Sequence, residues 1–215
     1  MAKDLLFEIG IEEIPARFME PALKQLRELA ADGLQQAGLE YADMQVYGTP
    51  RRIALLVKDL AEMQPDSQQE SKGPALKAAF DAAGQPTKAL LGFCRGQGIE
   101  PDAVLQKEIK GVQYVYAVKH IQGRPTAELL PAMLEEIVHK LYFPKPMRWG
   151  NNEMRFARPI RWLVLLFGQE VLPLEIAGVK AGRVTRGHRF LGNGQAEIKE
   201  PAAYLLTLQN EYVVA

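Results

Sequence analysis

The chain has 215 residues, 47% of them hydrophobic, and its 26 Lys and Arg balance 26 Asp and Glu. That is ordinary globular composition at the length of one large domain or two small ones, which excludes collagen-like, low-complexity and largely disordered chains. A single cysteine, Cys94, excludes an intrachain disulfide and a cysteine-based zinc site, and points to a reducing, cytoplasmic setting.

The first residues lack the apolar core of a signal peptide. Residues 4–10 alternate as a strand, with Leu5, Phe7 and Ile9 set against Leu6 and Glu8. A helix is predicted from there to about Ala37, with Leu23, Leu26, Ala30 and Leu34 on one face, Pro21 in its first turn and Gly38 as its C-terminal cap. Residues 44–47 and 53–57 read as strands joined by the basic connection Gly48-Thr49-Pro50-Arg51-Arg52. Residues 64–73 are polar and read as a linker. Two short helices follow over 74–83 and 87–96, then a hairpin over 107–109 and 113–121 around Gly111. Residues 126–141 form an amphipathic helix that Pro144 and Pro146 stop. Strands are predicted over 160–167, 170–176 and 183–189, and a last helix over about 201–209. The longest apolar stretch, 162–167, is far below the roughly 18 residues that span a bilayer, so no membrane role is expected. The apolar end at Tyr212-Val213-Val214-Ala215 reads as the start of a strand, hence of a chain cut short.

The expected fold class is α+β: a mixed, mostly antiparallel sheet with packed helices and a small helical insertion. The expected divisions are an N-terminal segment over 1–63, a linker and helical insertion over 64–101, a hairpin plus helix over 102–143, and an arginine-rich β segment over 144–215. The last forms one compact unit with residues 1–63.

The net charge of zero conceals a patch. Residues 145–189 hold Lys145, Arg148, Arg155, Arg158, Arg161, Lys180, Arg183, Arg186 and Arg189 against only Glu153, Glu170 and Glu175. Most are arginines, whose planar fork pairs with phosphate and stacks on bases. Trp149 and Phe156 are interleaved with them, and His188 lies beside Arg189, an arrangement suited to RNA. The same arginines also suit a plain solvated face, or pairing with acidic residues, which the first forty positions supply. A catalytic constellation is hard to find. His120, His139 and His188 do not stand at metal-ligand spacings, and no glycine-rich phosphate loop occurs. Glu12 and Glu13 are a carboxylate pair after a strand end, able in principle to do acid–base work. Adjacent turn residues more often point apart and bind local arginines. Cys94 reads as a buried, inert thiol.

Several segments, taken together, resemble a known family. Residues 6–15 (LFEIGIEEIP), 49–54 (TPRRIA), 72–74 (KGP), 145–150 (KPMRWG), 156–162 (FARPIRW) and 186–190 (RGHRF) are similar to the beta subunit of the bacterial-type heterotetrameric glycyl-tRNA synthetase, in the family's order and across nearly the whole chain. Ile11 departs from the family, which usually has a small hydroxyl residue there. The resemblance implies an alpha-two, beta-two holoenzyme that joins glycine to tRNA(Gly) using ATP and Mg²⁺. In it the alpha subunit carries the catalytic core, and the beta subunit binds tRNA and is needed for charging. This chain resembles the N-terminal portion of that subunit, and no catalytic residue, cofactor or metal is expected within it. The candidate RNA-binding or interface residues are Arg51, Arg52, Lys145, Arg148, Trp149, Arg155, Arg158, Arg161, Arg186, His188 and Arg189. Two other roles stay open. One is a docking module without RNA contact. The other is an editing-like hydrolytic domain using Glu12, Glu13 or His188 as base.

Overall fold

A computed structural model describes residues 2–81, 84–109 and 111–214. In chain order the elements are β1 (Ala2–Ile11), α1 (Met19–Gln36), β2 (Asp43–Thr49), β3 (Arg52–Ala61), β4 (Ser67–Ala75), α2 (Leu76–Ala79), α3 (Lys88–Gln97), β5 (Leu105–Ile109), β6 (Val112–Ile121), α4 (Thr126–Lys140), β7 (Ile160–Phe167), β8 (Glu170–Val171), β9 (Glu175–Ile176), β10 (Val179–Gly182), β11 (Val184–Thr185), β12 (Ala196–Glu197) and α5 (Tyr204–Asn210). The fold is α+β, with mostly antiparallel pairing.

The chain divides into two compact units, residues 1–64 with 124–215, and residues 65–123. The first is built on a sheet in the order β2-β3-β1-β7-β10-β9, with β8 paired to β7. Strand β1 lies at its centre, antiparallel to β3 and β7. From Leu5 to Ile11 every residue of β1 is buried, because both faces of the sheet are covered. Leu5, Phe7, Ile9 and Ile11 face a core shared with α1 and α4. On α1 the buried positions Ala22, Leu26, Ala30 and Leu34 recur every fourth residue, the stripe a helix needs to lie on a sheet. Gly38 ends that helix at a φ of 66°, a left-handed turn that glycine takes without a Cβ clash. Leu6 faces the other side, where Trp162, Val164 and Leu166 of β7 pack with Ile198, Tyr204 and Leu208.

The second unit is a three-stranded sheet, β4-β6-β5, with α2 and α3 against it. Its core is Ala79, Leu90, Cys94 and Val115. The Thr87 hydroxyl caps α3 by accepting from the Leu90 N–H, and Gly98 closes the helix in the left-handed region. Burial pushes the Cys94 thiol above its ordinary value, in keeping with an inert core residue.

Several expectations are corrected. The polar stretch taken as a linker over 64–73 is largely strand β4, and only Leu76–Ala79 of the helix expected over 74–83 is helical, with Ala82 and Ala83 outside the described residues. As an edge strand β4 buries no continuous face, so the alternation that marks a strand is missing, and its Lys72 and Pro74 suit an unpaired edge. The hairpin, grouped above with the following helix, belongs instead to the 65–123 unit, while α4 packs against α1. Residues 170–176 give two short strands interrupted at Pro173, and the strand expected over 183–189 covers only Val184–Thr185. The apolar end is not a strand as far as Val214. Tyr212 N–H bonds to the Gln209 carbonyl and Val213 N–H to the Leu208 carbonyl, which completes a helix-capping turn after α5.

Candidate functional site

On the face of the sheet away from α1, Glu8 of β1 is fully buried, and four donors from four other elements converge on its carboxylate. Oε1 accepts from Trp162 Nε1 of β7 and, at 2.6 Å, from Thr185 Oγ1 of β11. Oε2 accepts from Tyr204 Oη of α5 at 2.5 Å and pairs with Arg52 Nη1 of β3 at 3.4 Å. A carboxylate has about four lone-pair sites, so this one is fully engaged. Arg52 is itself 2% exposed; it also donates to Thr185 Oγ1 at 3.1 Å and to the Arg186 carbonyl.

The indole of Trp162 lies across Gly10, where a Cβ would come within 1.9 Å of the ring. Three guanidinium groups gather on that indole: Arg186 at 4.9 Å, Arg51 at 5.7 Å and Arg52 at 5.8 Å from the ring centroid. Cation–π contacts of this kind hold cations close together despite their repulsion. Arg52 has Glu8 as its counter-charge. Arg51 has no ion pair among the described residues, and its Nε is buried without a hydrogen-bond partner. Its pKa is lowered first by burial, then by Arg189, Arg186 and Arg52, with Glu12 opposing.

Burial pushes the Tyr204 phenol well above its ordinary value, and the neighbouring Glu8 carboxylate adds to the shift. A folded value raised above the unfolded one contributes stability that is complete below the ordinary tyrosine pKa of about 10 and is lost as pH rises through the raised value. Tyrosinate absorbance should therefore show one of the seven tyrosines ionising only as the fold is lost in alkali. Seven independent titrations while the fold persists would contradict this.

Beside Trp162 opens a cleft of about 420 Å³, lined by Glu13, Thr49, Pro50, Arg51, Arg52, the 187–190 loop and residues 212–214. The loop is shaped from within by Glu211, whose carboxylate accepts from Asn193 N and Nδ2 and whose carbonyl accepts from His188 N–H at 2.8 Å. Gly187 and Gly192 are required there, since a Cβ on either would meet the Glu211 carboxylate at 2.6–2.7 Å. His188 Nδ1 accepts from the N–H groups of Phe190 and Leu191, each at 3.2 Å, so in the neutral ring Nε2 carries the proton.

The predicted residues fall into two groups. Arg51, Arg52, Arg186, His188 and Arg189 come together around the Trp162 cleft. Arg161, which does not line the cleft, and Arg189, which does, bind the two turn carboxylates, Arg161 to Glu12 at 2.9 Å and Arg189 to Glu13 at 3.7 Å. Glu12 and Glu13 are thus partners of arginines. Lys145, Arg148 and Arg155 belong to a different region. They are exposed, without ion pairs among the described residues, on a loop whose Trp149 and Met154 pack on the α1–α4 core. The loop that carries them packs on the α1 side of the sheet through Trp149 and Met154, whereas Trp162 packs in the cluster on the other side. Arg158 is half-buried and donates to the Ala157 carbonyl. Phe156, considered as a base-stacking ring, is fully buried edge-on against Phe143 and cannot stack a base; Trp149 is partly committed to the core. The sequence reading missed Glu8 as a buried hub, along with Thr185, Tyr204, Glu211 and the cleft-lining Tyr212. The one available signal was a carboxylate inside an apolar strand at Glu8.

The site is an arginine cluster braced on an indole beside a cleft. A family model described as glycyl-tRNA synthetase beta subunit matches residues 5–215. The glycine–tRNA ligase beta subunits of Desulforamulus reducens and Moorella thermoacetica are each 53% identical over 214 residues. That of Bacillus subtilis is 46% identical over 213. These matches cover 99–100% of this chain and 31% of each relative, so the chain spans about a third of the length of the curated relatives it matches. The chain belongs to the glycyl-tRNA synthetase beta subunit family. Among the described residues, no helix is long and apolar enough to cross a membrane.

Proposed function

We propose that the chain is an accessory, tRNA-contacting part of an enzyme that charges tRNA(Gly) with glycine in the cytoplasm. Its partner is an alpha subunit, in an alpha-two, beta-two assembly, that carries the ATP-dependent chemistry. The observation that carries the RNA reading is the surplus of exposed arginine side chains over partners: Arg148 and Arg155 on one loop, neither with an ion pair among the described residues. Unpaired, exposed guanidinium groups neutralise phosphates without first breaking an internal bond. The Mg²⁺ and ATP of the reaction would then be held by the alpha subunit, as the family resemblance implies.

The test is tRNA binding by the chain from low to physiological salt. The expected log–log slope is steep, about 0.9 per phosphate neutralised in a duplex. The double variant Arg148→Ala, Arg155→Ala should lower it by roughly one to two while unfolding normally. Salt-independent binding, or a slope the variant leaves unchanged, rejects this reading. A second reading, docking to another protein surface, is favoured by the exposed Phe190, Leu191 and Leu206. It predicts complex formation with the alpha subunit that survives high salt.

A further inference from the structure

The cleft beside Trp162 combines three properties. It is cationic and electrostatically incomplete: Arg51 is desolvated, repelled by its arginine neighbours and without an ion pair among the described residues, while the one carboxylate on the wall, Glu13, is already neutralised by Arg189. An anion in the cleft would relieve that repulsion. It is also aromatic at the rim. Phe190 is 86% exposed and Tyr212 62% exposed, and both line the cleft. Two aromatic rings exposed at one cleft lose the burial that ordinarily retains them. Finally, Tyr212 is held at a φ of 58°, in the capping turn after α5. Glycine is the usual residue at that conformation. A tyrosine kept in a strained turn at the mouth of a cleft is the kind of outlier that marks a binding position.

We propose that this cleft seats one nucleotide unit, its phosphate on the Arg51 side and its base against Phe190 and Tyr212. Phosphate recognition by guanidinium and base stacking on aromatic rings are the two halves of single-strand recognition, and the volume is within the range of small-ligand sites. The unit comes either from an unpaired end of an RNA or from a free nucleotide, which share this chemistry. The proposal rests on the reading of the chain as an RNA-contacting part and names what its cleft takes.

Calorimetric titration of the full 215-residue chain with inorganic phosphate, AMP and a single-stranded RNA trinucleotide tests it. AMP and the trinucleotide are expected to bind, with phosphate alone at least tenfold weaker. A trinucleotide affinity tenfold above that of AMP identifies an RNA end as the source; equal affinities identify a free nucleotide. Phe190→Ala and Arg51→Gln should each weaken binding about tenfold or more, the size of one stacked base or one lost phosphate contact. Tyr212→Gly keeps the turn, removes the ring and should weaken binding several-fold. Lys24→Ala, on the exposed face of α1 and outside the cleft, should change nothing. The assignment is overturned if neither nucleotide binds at millimolar concentration, if phosphate binds as well as AMP, or if Phe190→Ala and Arg51→Gln leave affinity unchanged. Salt-dependent tRNA binding by a chain that binds neither AMP nor the trinucleotide removes the cleft assignment alone, whereas AMP binding without tRNA binding upholds the cleft and removes the tRNA reading.

Discussion

Glu8→Ala is expected to destabilise the protein by about 3–5 kcal/mol, the range for removing one partner of a buried ion pair. The loss is not that of one contact. Arg52 would stay buried with its charge uncompensated, and the Tyr204 hydroxyl and Trp162 N–H would each lose an acceptor out of reach of bulk water. Domains of this size are stable by only about 5–15 kcal/mol, so the variant should unfold at a much lower denaturant midpoint. Glu8→Gln keeps the volume and one acceptor oxygen and should lie between the two. A double replacement of Glu8 and Arg52 by apolar residues should cost less than Glu8→Ala alone, because no charge is left stranded. Chemical denaturation of the four proteins decides the matter. A Glu8→Ala midpoint within error of the parent would show that the network is incidental.

Gly10→Ala should also be strongly destabilising. The added methyl would lie within 1.9 Å of two Trp162 ring carbons and 2.5 Å of a third, distances no real Cβ tolerates. Overpacked cores usually lose about 1–3 kcal/mol because neighbours give way. Trp162 cannot easily do so, since its N–H is tied to Glu8 and guanidinium groups rest on its ring. The expected result is a loss at or beyond the upper end of that range, with the cleft disturbed as well. Replacing Trp162 by leucine in the same chain should recover part of the loss, since the clash is then gone. Thermal unfolding of the single and double variants measures this; a Gly10→Ala protein of unchanged midpoint would refute it.

The elements most visible in the sequence were those with one buried face and clear ends. Helix α1 carries its apolar stripe at helical spacing and stops at Gly38. Helix α4 and strand β7 were placed within a residue or two for the same reason. Strand β4 was illegible because pairing, and not burial, defines it: its hydrogen bonds go to β6 while its side chains stay mostly in solvent. The site was half visible. Arginine-rich motifs identified Arg51, Arg52, Arg186, His188 and Arg189, but nothing in their spacing shows which of them gather on one indole. That gathering depends on the register of β1 with β7, which places Trp162 opposite Gly10 on the face away from α1. Glu211 and Tyr204 act on residues far earlier in the chain, and local pattern carries no record of such contacts.

The 65–123 unit is entered and left through adjoining positions. Gln64 N–H bonds to the Arg124 carbonyl at 2.9 Å, Met63 and Pro125 form a bridge, and within the unit itself Gly123 N–H reaches the Asp66 carboxylate. Topologically the unit is a parenthesis: β3 and α4 meet at its neck whether the enclosed text is long or short. The surrounding sheet can therefore keep its register through changes of size or sequence in that unit, and selection can reshape one without renegotiating the other. The two units are free to evolve at different rates, and the arginine cleft belongs wholly to the one that encloses.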